Sequence, residues 1–359
     1  MKYRIFTATF LLLCIIPSAG MLFLPPTEAA ANERLSPVPT LKTEDGRWNT
    51  EVLGQVTDYI ADHFALRQEM VTANAVLQTT LLATSPAEDV IYGTDGWLYY
   101  AQTLDDYQNR ATLTDAELRQ IAQTVADMQA YCISRGAQFI FTIAPNKNSL
   151  YPAHMPARYL QSDGQGNYER LRPLLAEYEV RYADLFTFLS AQDEVLYLRT
   201  DSHWTNRGAA LAHDFLMDTL GLPHTAFAQA AYTTAQTHRG DLYEMLYPKG
   251  SARESQQQYE TSFSHVREPR TAEDILIETV NPTAPNGRLL LCRDSFGNAL
   301  YPFLAEDFRE ATITRQMPYP LEQVQAGDTV IVEIVERNLA NLIHYPPDLG
   351  NQTQSNSVE

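Results

Sequence analysis

Three stretches of this chain are apolar without alternation: QFIFTIA at 138–144, RLLLC at 288–292 and TVIVEIV at 329–335. A strand with one wet face alternates apolar and polar residues, whereas one covered on both faces reads as a near-continuous apolar run. Segments of helical period lie between them. Thr114 and Glu117 form a capping box before a helix that Gly136 ends. Further helices are predicted over 168–182, 208–220 and 298–308, and further strands over VLYLRT (195–200) and ATIT (311–314). This order predicts an α/β fold: a parallel sheet with helices on both faces. Residues 221–285 are polar and without clear period, and read as a long excursion from the sheet. Residues 49–82 carry Val52, Val56, Tyr59, Ile60 and Phe64 at the spacing of an amphipathic helical region. Val90–Tyr100, with Gly93-Thr94-Asp95-Gly96 at its centre, reads as a hairpin.

Lys2 and Arg4 precede a mostly apolar run from Ile5 to Leu24. That pattern fits a secretory signal, with Ala29 and Ala31 as a small-x-small cleavage site, or an uncleaved signal-anchor. The expected organisation is a signal or anchor at 1–31, a linker and helical region at 32–85, the α/β domain at 86–345 and a polar tail at 346–359. The bulk of the protein is then extracytoplasmic, either membrane-anchored or secreted. Cys14 falls in the apolar run; Cys132 and Cys292 fall at core positions and read as buried thiols, with a bond between them left open. The formal charge of −18 repels polyanions, so nucleic acid is not an expected partner.

In open α/β sheets the chemistry lies at the carboxyl ends of strands. VLYLRT leads into Asp201-Ser202-His203-Trp204, and RLLLC into Arg293-Asp294-Ser295-Phe296-Gly297-Asn298 and a helix. A serine at a strand-to-helix turn exposes its hydroxyl, while the helix N-terminus offers free N–H donors for an oxyanion. Serine is a weak nucleophile and needs a base. His203 fills that role, with Asp201 two residues earlier to orient the imidazole. The bland alternatives are an N-capping Ser295 and an Asp201 that caps the helix beginning near Thr205. Metal ligation is the rival use of Asp201 and His203, but the other histidines lack ligand spacing, so neither metal nor cofactor is expected. Asn146 and Lys147 follow a strand end and are candidate donors to an oxyanion or sugar. Arg293 and Arg337 are either such donors or partners of acidic neighbours. Trp204 either stacks on a sugar ring or packs beneath the histidine.

DSHW (201–204), RDSFGN (293–298), APNKNSLYP (144–152), GTDGWLYY (93–100) and VEIVERNL (332–339) together resemble the AlgJ/AlgX-like, or DHHW, family of SGNH-type proteins. ADHFALRQ also fits, so the resemblance runs from about Ala61 to Ala340. Ser202 stands where the family's name motif has its first histidine. The resemblance implies an SGNH-hydrolase-like fold with circularly permuted motif order, since Asp-x-His precedes the serine. It implies polysaccharide O-acetylation with Ser295 as nucleophile, His203 as base and Asp201 as its orienter. The implied partners are a polysaccharide acceptor and a membrane-bound O-acyltransferase that supplies acetyl groups. Without a C-terminal carbohydrate-binding module, the chain looks more like the AlgJ branch. A carbohydrate O-acetylesterase and a non-catalytic cell-envelope assembly protein are the alternatives.

Overall fold

The computed structural model describes residues 2–24, 34–110 and 112–349. Ala29, Ala31 and residues 350–359 of the polar tail lie outside them. The chain divides into two units, Met1–Tyr92 with Arg239–Ala252, and Gly93–His238 with Arg253–Glu359.

The second unit holds the sheet. The strands used below are β1 (Gln138–Ala144), β2 (Tyr182–Ala183), β3 (Thr233–His238), β4 (Glu254–Gln258), β5 (Ser264–His265), β6 (Leu276–Val280), β7 (Asn286–Cys292), β8 (Phe308–Thr314) and β9 (Thr329–Val335). Seven of them form one sheet in the order β2-β1-β9-β7-β8-β6-β5, while β3 and β4 make a separate antiparallel ribbon. The five strands from β2 to β8 are parallel; β6 and β5 add an antiparallel edge. The helices used below are α1 (Asp115–Ser134), α2 (Asn167–Glu177), α3 (Leu185–Ser190), α4 (Asn206–Leu220) and α5 (Gly297–Asp307).

The apolar runs are covered on both faces, as their composition requires. Along β9, Val330, Val332 and Ile334 pack with α1 and α2, whereas Ile331 and Val335 pack with α3, α4 and α5. Strand β7 divides likewise, with Leu290 and Cys292 on one side and Leu289 and Leu291 on the other. Each such side chain contributes roughly 1.5–3 kcal/mol by leaving water. Against that background the fully buried Glu333 stands out. Burial, then the nearby Asp294 carboxylate, pushes its carboxyl well above the usual range. Cys132 and Cys292 are free, and burial raises both thiols.

Three expectations are corrected. VLYLRT is not a strand: only Tyr197 makes a bridge, to Trp204. Leu196, Tyr197 and Leu198 are buried, but side chains and loops capture the backbone in place of a ladder. Short β2 takes the sheet edge instead. Residues 221–285 return to the sheet through β5 and β6, so the sheet is mixed. The helix expected at 168–182 stops at Glu177, before the chain turns into β2.

In the first unit, helices run over Lys2–Gly20, Val52–His63 and Arg67–Leu82. Val52–His63 buries none of its residues, and Arg67–Leu82 buries Gln68, Ala75 and Thr79. The Tyr247 hydroxyl donates to Thr79 Oγ1 at 2.9 Å. Among the described residues, no helix is long and apolar enough to cross a membrane.

Candidate active site

Strands β1, β9 and β7 are neighbours, and the segments that leave their carboxyl ends carry Asn146, Glu336 and Ser295. The chain moves outward in one direction from β1 to β2 and in the other from β7 to β8, so the crevice of a topological switch lies there.

Asp294 fastens the turn that presents Ser295. Its Oδ1 accepts the Phe296 N–H at 3.0 Å, and its Oδ2 accepts the Val335 N–H at 2.7 Å and Asn338 Nδ2 at 3.1 Å. Its own N–H donates to Glu333 Oε2 at 3.3 Å. Gly297 opens α5 because of space: a Cβ there would lie 2.6 Å from Cβ of Arg293. The Phe296 N–H is thus taken, while among the described residues those of Ser295 and Gly297 find no acceptor.

His203 reaches the serine from a closed loop. Leu198 N–H donates to His203 O, and Thr205 N–H to Leu196 O, so residues 196–205 form an irregular hairpin. Asp201 and His203 meet through a turn, since Asp201 Oδ1 accepts the His203 N–H at 2.9 Å. The same oxygen lies 2.8 Å from His203 Nδ1, and His203 Nε2 lies 2.8 Å from Ser295 Oγ. The Ser202 hydroxyl also lies 3.2 Å from Nδ1. Burial opposes ionisation of Asp201, but hydrogen bonds from His203 and then His238 outweigh it and hold the carboxyl well below the usual range. With a carboxylate on that side, Nδ1 must be the donor, which leaves the Nε2 lone pair to accept the serine proton. Asp201 is not the cap of α4. Thr205 is, accepting the Gly208 N–H at 3.0 Å.

His238 was not visible in the sequence. Its Nε2 lies 2.8 Å from Asp201 Oδ2, and it stands 37 residues away at the end of β3. The surrounding TTAQTH has neither apolar period nor motif spacing, so no local signal marked it.

The remaining candidates divide. Lys147 is buried, and its ammonium donates to the carbonyls of Leu198 and Arg199 at 3.0 Å and of Asp201 at 2.6 Å. It holds the histidine loop from below, with its charge over Trp97 and Tyr99. Trp204 is 1% exposed and donates Nε1–H to Phe296 O at 3.0 Å, packing edge-on against that ring. Its surface is spent on this contact, which joins the histidine loop to the serine turn. Arg293 is buried and donates to the carbonyls of Ala272, Asp274 and Asp294. Asn146 donates its N–H to Glu336 Oε2 and Nδ2–H to Asp106 Oδ2, at 2.8 and 3.0 Å. Arg337 is half-buried, its guanidinium 5.6 Å from the Phe296 ring that flanks His203. Of these candidates, Arg337 is the one left near the serine turn with a partly exposed charge.

Residues 90–300 match the family described as SGNH hydrolase-like domain, acetyltransferase AlgX. The chain belongs to this family. The matched span contains Asp201, His203 and Ser295. A probable alginate O-acetylase AlgJ from Pseudomonas syringae is 29% identical over 166 residues, 44% of this chain and 41% of that one. The chain thus matches about two fifths of that relative's length. Among solved structures, Bacillus cereus PatB1 has a TM-score of 0.54 at 19% identity, over 70% of this chain and 96% of that one. A DHHW family protein from Eubacterium siraeum has a TM-score of 0.50 at 15% identity, over 72% and 99%. These likenesses carry the fold: an AlgX-type, SGNH-hydrolase-like α/β domain.

Proposed function

We propose that this AlgX-type chain is an O-acetyltransferase that moves acetyl groups to a carbohydrate hydroxyl through an acyl-Ser295 intermediate. The observation that carries the reading is the continuous chain of contacts from Asp201 through His203 to Ser295, each of 2.8 Å. His203 Nε2 takes the Ser295 proton as Oγ attacks the acetyl carbonyl, and the N–H groups of Ser295 and Gly297 receive the oxyanion. Collapse expels the donor's oxygen, which takes the proton from His203. In the second half an acceptor hydroxyl loses its proton to His203 and attacks the acyl-serine, which restores the free enzyme. Asp201 holds the productive tautomer and balances the imidazolium that forms in both halves. Arg337, beside the serine turn, is placed in this reading as a donor to donor or acceptor oxygens.

Acetylation of a polysaccharide is supported by the name of the Pseudomonas syringae relative. The charge of −18 favours an acceptor that is not itself a polyanion, because like charges lower the encounter rate. Placement outside the cytoplasm, with acetyl groups handed over by a membrane-bound O-acyltransferase, belongs to the same proposal. It is supported by Lys2 and Arg4 ahead of the apolar run from Ile5 to Leu24. The test is incubation with 4-nitrophenyl acetate and a neutral oligosaccharide, with mass spectrometry of the sugar. Acetylated sugar supports transfer; acetate alone, at a rate indifferent to the sugar, makes the chain an esterase; no turnover with either removes the enzymatic reading.

A further inference from the structure

We propose that His238 is a positioning residue for acyl transfer, sharing the Asp201 carboxylate with His203 and fixing the plane in which that carboxylate meets the base. The inference rests on the acyl-transfer reading above.

The side chain of Asp201 is 6% exposed, and its two oxygens go to different imidazoles. Oδ1 receives His203, through both N–H and Nδ1–H, and Oδ2 receives His238 Nε2–H at 2.8 Å. A carboxylate only accepts, so both rings must donate to it. The terminal torsion of an aspartate is soft and broad. Held at one oxygen, the carboxylate can swing; held at both, it keeps Oδ1 in line with Nδ1.

The placement of His238 is built into the ribbon that carries it. Gln236 pairs with Ser255, but His238 pairs with Glu254, so Thr237 is an extra residue and the register shifts. A bulge of this kind re-aims the side chain that follows it. The opposite strand grips the same loop. Glu254 accepts the N–H groups of Arg199 and Thr200 at 2.8 and 2.7 Å, and the Thr200 hydroxyl also donates to it. Gln256 Oε1 accepts the Asn206 N–H at 2.9 Å, and Asn206 Nδ2 donates to Gln257 O at 2.7 Å. Ribbon β3–β4 therefore clamps the loop on both sides of Asp201, with His238 as its contact to the carboxylate.

The test is kcat and KM for 4-nitrophenyl acetate in the full chain, comparing wild type, His238→Ala and His238→Gln, alone and combined with Asp201→Ala. Loss of a hydrogen bond to a charged group is expected to lower kcat of His238→Ala about 10- to 100-fold with KM little changed. Glutamine can donate to Oδ2 without titrating, and His238→Gln should recover most of the loss. With Asp201→Ala already present, His238→Ala should cost nothing further, because its effect passes through that carboxylate. Wild-type kcat in His238→Ala overturns the proposal. So does an equal loss with and without Asp201→Ala, which marks general damage to the ribbon, and so does a glutamine variant as impaired as the alanine one. Undiminished turnover in Ser295→Ala instead removes the acyl-transfer reading, however His238 behaves.

Discussion

Replacing Asp201 by asparagine separates the two jobs given to this carboxylate. Oδ1 accepts both the N–H of His203 at 2.9 Å and its Nδ1–H at 2.8 Å, and Oδ2 faces His238. Asparagine has one acceptor oxygen, and the Oδ1 place claims it, because the backbone N–H of His203 there can only donate. The amide NH₂ then faces His238, which is a third exposed and can turn its own acceptor nitrogen inward. His203 therefore keeps its productive tautomer in Asp201→Asn and loses only the charge that stabilises its cation. Opposite unit charges about 4 Å apart are worth ~4 kcal/mol at an effective dielectric constant of ~20. The expected loss in kcat is thus about 10³-fold. That is below the roughly 10⁴ of a serine-protease triad, where the same change imposes the wrong tautomer. The assay is initial-rate hydrolysis of 4-nitrophenyl acetate at neutral pH, with circular dichroism to verify folding. A folded variant within tenfold of wild type refutes the reasoning and leaves at most a Ser295–His203 dyad.

Lys147→Met keeps an unbranched stem but strips the charge from over Trp97 and Tyr99 and the donors from the carbonyls of Leu198, Arg199 and Asp201. It should destabilise the protein by about 1.5–3 kcal/mol in urea unfolding and lower kcat more than it alters KM. Burial, then the nearby Asp106 charge, pushes the Glu336 carboxyl up from 4.5 to about 8. The folded protein binds that proton more tightly than the unfolded chain, so the stabilisation is complete below 4.5 and lost as pH rises through about 8. Glu336→Gln, which still accepts from Asn146 and Ser149, should flatten this part of the decline in Tm with pH. An unchanged slope in the variant counts against a protonated Glu336.

The central strands β1, β7 and β9 were legible because they are nearly continuous apolar runs, a pattern that burial on both faces forces on the residues themselves. Asp201, His203 and Ser295 were legible as well, since both halves of the site are local motifs at ends of buried segments. VLYLRT misled because its side chains are those of a buried strand, while the groups that satisfy its backbone come from elsewhere. The Leu196 N–H donates to the Tyr151 hydroxyl, 45 residues away. Glu254, a further such group, stands 55 residues beyond Arg199. No window of local sequence contains these partners. His238 was hidden for the same reason: a bulge in a polar ribbon aims it, and neither bulge nor ribbon has an apolar period. Nor does any local pattern show that Gly297 supplies room for the Arg293 side chain.

The central claim is that acetyl passes through Ser295. Intact-protein and peptide mass spectrometry after brief mixing with 4-nitrophenyl acetate and an acid quench tests it most directly. One acetyl group is predicted on the peptide bearing Ser295, absent from Ser295→Ala and discharged faster when oligosaccharide is present. Continued turnover with no acetyl on Ser295, or with acetyl on another residue that Ser295→Ala leaves unchanged, contradicts it.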